Sequence, residues 1–187
     1  MLPKSVEENG KRQVEKMNDA IAQRLSESTE TSGSIFKTAH FSACRTYRYA
    51  LWRCWERQKP YALFIGLNPS TADEKEDDPT IRRCVGFAKA WGYGALCMVN
   101  LFALRATKPK DMLVHPSPIG PDNDKWLEAL SRQAGVTVAA WGVNGNHLGR
   151  DSAVREFIGG LKCLKKTKDG YPGHPLYLPR ETELRPF

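Results

Sequence analysis

Three apolar runs constrain this chain more than any other feature. They are "YALFIGL" (61–67), "ALCMVNLFAL" (95–104) and "VTVAAWG" (136–142). Nearly continuous apolar strands of this kind suit a parallel sheet covered on both faces. Helical segments separate them. In "DPTIRRCVGFAKAWGYG", Asp78 stands as N-cap with Pro79 at the first helical position. Ile81, Val85 and Ala88 share one face, and Gly92 or Gly94 marks the exit. "GPDNDKWLEALSRQAG" predicts a helix ending at Gly135, and "GRDSAVREFIGGL" predicts another. "LKCLKKTKDGYPGHPLYL" carries a short strand and a Pro-rich turn. Strands alternating with helices predict right-handed βαβ units: a three-layer αβα sandwich around a central, mainly parallel sheet.

Upstream, "HFSACRTYRYALWRCW" (40–55) is rich in aromatic and other strand-forming residues, with Arg interleaved, and reads as two short strands forming a hairpin or sheet edge. "KRQVEKMNDAIAQRL" spaces Val14, Met17, Ile21 and Leu25 as one face of an amphipathic helix, and "SESTETSGS" follows as a linker. The chain therefore divides into an N-terminal helix and linker, 1–34, and an α/β domain, 35–187. With 187 residues and 41% hydrophobic content it can bury one sizeable core. No apolar run approaches a membrane span, and "MLPKSVEENGKR" lacks the apolar stretch of a secretory signal. A cytoplasmic protein with no membrane partner is expected. Cys44, Cys54, Cys84, Cys97 and Cys163 show no CxxC spacing and read as reduced, mostly buried thiols, not as disulfides or a zinc site.

The formal net charge is +7, yet residues 1–40 hold six Lys/Arg and six Asp/Glu. The whole excess lies in the following domain. It clusters at Arg45, Arg48, Arg53, Arg57 and Lys59, at Arg82 and Arg83, and at Lys162, Lys165, Lys166 and Lys168. A basic domain suits a polyanion, nucleic acid above all, although a basic solvated surface gives the same composition.

In parallel α/β sheets, ligands bind beyond the carboxyl ends of the strands. Asn68, Asn100, Trp141–Gly142 and His174 each follow an apolar run, so all are expected on one rim. No dinucleotide fingerprint, P-loop, HExxH or nucleophile elbow is present. The acidic run from Asp73 to Asp78 has the composition for a cation but not the spacing of an EF-hand. The rim residues suit a nucleobase better. An Asn amide reads a base edge that carries a carbonyl beside an N–H. A His stabilises a carbonyl oxygen that gains negative charge as a bond breaks. Each also has a plain structural reading: Asn68 capping a turn before Pro69, Asn100 satisfying backbone, and His174 fixing the "PGHP" turn.

Residues from about His40 to Leu178 closely resemble a bacterial and phage family, the domain of unknown function 1643. The resemblance rests on "YRYALWRCW", "GLNPSTAD", "DPTIRRC", "WGYG", "NLFALRAT", "GPDND" and "HPLYL". The family name implies no activity. More distantly, the same landmarks resemble the α/β uracil-DNA glycosylase superfamily. "GLNP" resembles the Asn version of its first motif, in which the Asn addresses the attacking water. "MVN" supplies Asn100 as reader of a flipped base, and "AAWG" matches the end of the third strand. "HPLYL" supplies His174 for a base carbonyl and Leu176 or Leu178 as a wedge in the duplex. Ser70 departs from the Gly or Tyr usual in the first motif.

The resemblance implies an enzyme that flips a damaged or modified base out of DNA and hydrolyses its N-glycosidic bond, with no cofactor and no metal. Asn68 and His174 would be catalytic, with Asp73 or Asp78 assisting. Asn100, Gly66, Pro69, Ser70, Phe102 and Trp141 would form the base pocket; Phe102, Tyr93 and Trp141 are the candidates for stacking. Arg82, Arg83, Arg105, Lys165, Lys166 and Lys168 would hold phosphates. Two alternatives stand beside it: a DNA-binding module without catalysis, and an enzyme acting on free nucleosides or nucleotides.

Overall fold

The computed structural model describes residues 35–179 and 181–187. The N-terminal helix and linker expected over 1–34 lie outside the described residues. Seven strands form one sheet: β1 (Phe36–Phe41), β2 (Arg48–Cys54), β3 (Tyr61–Gly66), β4 (Ala95–Asn100), β5 (Val136–Ala139), β6 (Lys162–Cys163) and β7 (Arg185–Pro186). Their order is β1-β2-β4-β3-β5-β6-β7. The four central strands, β4-β3-β5-β6, are parallel to one another. The remaining three pairings, β1 with β2, β2 with β4, and β6 with β7, are antiparallel. The expectation of a mainly parallel sheet is therefore corrected: parallel pairing is confined to the centre. The physical reason is chain reversal. β1 and β2 are joined by a short loop, which can only return the chain antiparallel.

Successive side chains of β3 enter opposite cores, as the two-residue period of a strand requires. Leu63 and Ile65 pack with Trp52, Val99, Leu127, Leu130, Val154 and Ile158. Ala62 and Phe64 pack with Ile81, Cys84, Phe87, Ala88 and Met98. Helix α1 (Pro79–Ala90) thus covers one face, while α3 (Asn123–Gln133) and α4 (Arg150–Phe157) cover the other. A short helix, α2 (Pro109–Leu113), was not anticipated; five residues are too few to display a period. Asp78 caps α1, its carboxylate accepting from the Ile81 N–H at 2.8 Å, with Pro79 in the first turn as expected. Cys54, Cys84, Cys97 and Cys163 are buried free thiols, and Cys44 is exposed. Among the described residues no helix is long and apolar enough to cross a membrane.

Two glycines near α1 have opposite tolerances. At Gly94 a Cβ would stand 1.9 Å from the Glu56 backbone oxygen, whereas at Gly86, inside α1, it would meet nothing within 4 Å. Gly94→Ala is expected to cost about 2–4 kcal/mol by urea unfolding, since backbone must move. Gly86→Ala should add roughly 0.5–1 kcal/mol through helix propensity. Equal effects of the two substitutions would contradict this packing.

Candidate functional site

The loops beyond the carboxyl ends of β3, β4 and β5 enclose a cleft of about 460 Å³. Gly66, Asn68, Ser70, Asp78, Asn100, Trp141 and His174 all line it. Met98, Ile81, Leu67 and Ala140 supply an apolar lining.

The two chains at the seam stay hydrogen-bonded after the strands end. Leu101 N–H donates to the Gly66 oxygen at 2.9 Å, Phe102 N–H to Leu67 at 3.0 Å, and Ala106 N–H to Pro69 at 2.9 Å. Gly66 is required here, because a Cβ would approach Asn100 Oδ1 to 2.7 Å. Asn100 is 3% exposed and its Nδ2 is buried without a partner, so it can donate to an acceptor in the cleft. Asn68 differs. Its Nδ2 donates to the backbone oxygens of Pro69 and Ala106 at 3.0 and 2.8 Å. Both amide protons are committed, which leaves its carbonyl oxygen to offer. The turn-forming reading of Asn68 and a cleft role thus coexist in one side chain.

His174 Nδ1 accepts from the Leu176 N–H at 3.3 Å, opening a 3₁₀ turn over Pro175–Tyr177. That bond keeps the lone pair on Nδ1 and the proton on Nε2. Burial pushes the imidazole pKa below its ordinary value, against a smaller opposing pull from Asp78. At neutral pH the group is an uncharged N–H donor.

Several expected site residues stand elsewhere. Phe102 does not line the cleft; it is fully buried against the His147 ring, 5.6 Å between centroids, because the chain turns away after Asn100. Tyr93 sits by Gly135 and Pro60, at the other end of the strands. Trp141 lines the cleft but is 2% exposed, its indole held under Gly145. Pro69 is buried behind the rim. Asp73 is outside the cleft lining; its carboxylate accepts from the Lys75 and Glu76 N–H groups at 2.8 Å each, which lowers its pKa. The acidic run is a counterion loop and not a cation site. Asp77 pairs with Arg53 at 2.6 Å and Lys37 at 3.3 Å, and Glu74 pairs with Arg45 at 3.0 Å.

The basic residues divide likewise. Arg83 donates to the Leu178 oxygen and lies over the Phe87 ring, tying α1 to the 174–178 segment. Arg82 donates to the Asp77 oxygen. Arg105 donates to the Arg45 oxygen at 3.3 Å and lies over Phe41. Lys165, Lys166 and Lys168 are exposed, Lys166 with its ammonium over Phe187. Leu178 packs against the α1 core, so it is not available as a wedge. Leu176 is half-buried, and the exposed apolar side chain of that turn is Tyr177, at 83%. Arg48, also in the lining, was noted only for its charge. Its signal was an arginine inside the otherwise apolar "YRYALW".

A buried neutral His predicts a pH effect of definite sign. The unfolded state takes a proton near 6.5, while the folded state resists it to lower pH. Stability is therefore unaffected above that value and falls as pH drops through it. Urea unfolding of wild type against His174→Gln should show the wild type losing ground below pH 6.5. A difference that is flat with pH would mean that His174 is not held neutral.

No match to this chain was found among curated proteins or among solved structures. A family model, protein of unknown function (DUF1643), matches residues 48–176. That span begins with β2 and ends inside the 3₁₀ turn that opens at Pro175, so it takes in every wall of the cleft. The chain belongs to the DUF1643 family.

Proposed function

We propose that the cleft hydrolyses the N-glycosidic bond of a damaged or modified base flipped out of DNA, on a uracil-DNA glycosylase-like fold, in the cytoplasm. The observation that carries this reading is the convergence of Asn68, Asn100 and His174 on one cleft, where Asn100 and His174 keep N–H donors free and Asn68 keeps a carbonyl acceptor. A central parallel sheet with helices on both faces also supports it.

The base must leave the stack to be reached. Breaking the bond leaves positive charge on the sugar and negative charge on the base. In this mechanism the Asn100 amide donates to a base carbonyl. The Nε2–H of His174 donates to the oxygen on which charge develops, where a preset donor acts most. The carbonyl oxygen of Asn68 orients the water, and Asp78, on the same wall, stabilises the cationic sugar. Tyr177, exposed beside His174 with ring centroids 5.9 Å apart, suits the gap left by the base better than either leucine. A shallower depression shares Ser70, Ala106 and Thr107 with the cleft and holds Arg45 and Arg105, and it offers a path for the strand.

A second reading, an enzyme acting on free nucleosides or nucleotides, is favoured by one finding. Asp77 pairs with the buried Arg53 and Glu74 with the exposed Arg45, so two arginines of the basic clusters already have counterions. Salt separates the readings. DNA binding should weaken steeply with salt as counterions are released, and Lys165→Ala with Lys166→Ala should flatten the slope. Binding indifferent to salt favours the free nucleotide.

Catalysis is tested by incubating oligonucleotides carrying a panel of altered bases, then cleaving abasic sites with alkali. Asn68→Ala should lower base release by roughly two to three orders of magnitude while leaving DNA affinity nearly unchanged. Asn100→Ala should relax which base is accepted, because it removes a base-edge contact. Tight DNA binding with no base released from any oligonucleotide would replace the enzyme reading with that of a binding module.

A further inference from the structure

Among the described residues three arginines are buried: Arg48, Arg53 and Arg150. Two of them are neutralised in place. Arg53 pairs with Asp77 and donates to the backbone oxygens of Trp52, Asp73 and Glu76. Arg150 pairs with Asp124 and donates to the Leu101 oxygen at 2.9 Å. Arg48 is different. It is 2% exposed, it donates to the Ala72 oxygen at 2.5 Å, and its Nε is buried without a partner. Among the described residues it forms no ion pair, and it is the only Lys or Arg in the cleft lining. Asp78 lies near enough to favour its charge but forms no ion pair with it; the hydrogen bond of that carboxylate is with the Ile81 N–H.

A buried guanidinium with no direct ion pair is costly, and an anion in contact with it in the same low-dielectric space offsets that cost. The adjoining donor of Asn100 Nδ2 is orphaned as well, so what the cleft lacks is an acceptor-rich, negatively charged group. This extends the nucleotide reading of the site and rests on it. We propose that Arg48 is a phosphate-binding residue at the cleft floor, and that the ligand is a nucleoside carrying its phosphate, supplied by a DNA strand or by a free nucleotide.

The test reads Arg48 directly. The Nε–H resonance of Arg48 in the full chain is followed by NMR during titration with each of the four common deoxynucleosides and with their 3′- and 5′-monophosphates. At least one monophosphate should shift the resonance and bind about ten- to a hundredfold tighter than its nucleoside, the size of one charge-assisted hydrogen bond. Arg48→Met should erase that ratio, and Arg48→Lys should restore part of it. An oligodeoxynucleotide without terminal phosphates identifies the source: competition with the monophosphate points to a strand, and no competition points to the free nucleotide. Either result keeps the proposal. It is overturned if no monophosphate outbinds its nucleoside on the wild type, or if folded Arg48→Met keeps the ratio. Because the wild-type titration needs no variant, it decides the matter even where Arg48→Met fails to fold. Base release is measured separately, so a phosphate preference without excision sinks the glycosylase reading alone.

Discussion

The β3–β4 pairing fixes nearly everything of interest in this molecule. Its parallel register runs from Tyr61 opposite Ala95 to Gly66 opposite Asn100, and the hydrogen bonding continues past both strand ends. Two loops that leave a sheet side by side normally diverge. These remain laced as far as Pro69 and Ala106, and the Asn68 amide ties the same two residues again from its side chain. The rim is therefore backbone-supported, although it is formally loop. A site built that way holds its polar groups without long flexible side chains, and both asparagines reach the cleft on a single methylene. The absence of a side chain at Gly66 is part of the same design, since Asn100 occupies the space.

Arginine burial shows how one strand serves two purposes. Arg53 and Arg48 both belong to β2. Arg53 gathers the acidic loop around itself: two of the loop's backbone oxygens and one carboxylate converge on its guanidinium, beside the Trp52 oxygen of its own strand. That loop then delivers Asp78 to the head of α1. Arg48 receives one oxygen, from Ala72 at the start of the same loop. The difference between the two is one of contact: Asp77 and Glu74 pair with Arg53, Lys37 and Arg45, while Asp73 and Asp78 favour the charge of Arg48 without pairing with it. Breaking a buried pair leaves a charge stranded, so Arg53 is structural wherever its loop is needed.

Much of this was legible in the sequence, for identifiable reasons. Strand ends in a parallel sheet announce themselves as polar residues after apolar runs, and that signal located Asn68, Asn100, Trp141 and His174 on one cleft. It failed at Phe102, because nothing in "NLFALRAT" marks where the strand stops and the side-chain alternation shifts. It failed for Leu178, which looked available only while its contact with α1 was unseen. The basic clusters misled for a related reason. Arg53 and Asp77 are 24 residues apart, so composition counts both as surface charge when they neutralise each other. The antiparallel β1–β2 edge was legible in the hairpin pattern upstream, whereas β6–β7 escaped because those strands are two residues each, too short for any period to register.

Desolvation sorts the ionisable groups of the cleft into different roles. Burial opposes charge on Arg48 and on His174 alike. The outcomes differ because the starting points differ. Arg48 is pulled down from its ordinary value to about 10 and stays charged at neutral pH. His174 starts at 6.5, so the same push leaves it neutral. One environment thus yields a fixed cation and an uncharged N–H donor within one cleft. An imidazolium would bind a phosphate as readily as Arg48 does, and the two sites would compete for one ligand group. A neutral imidazole instead favours a carbonyl oxygen and strengthens its hold only as that oxygen gains charge. In the proposed mechanism, the division between Arg48 for the anion and His174 for the nascent one would follow from the distance of each pKa from neutrality, with the Leu176 amide fixing which nitrogen carries the proton.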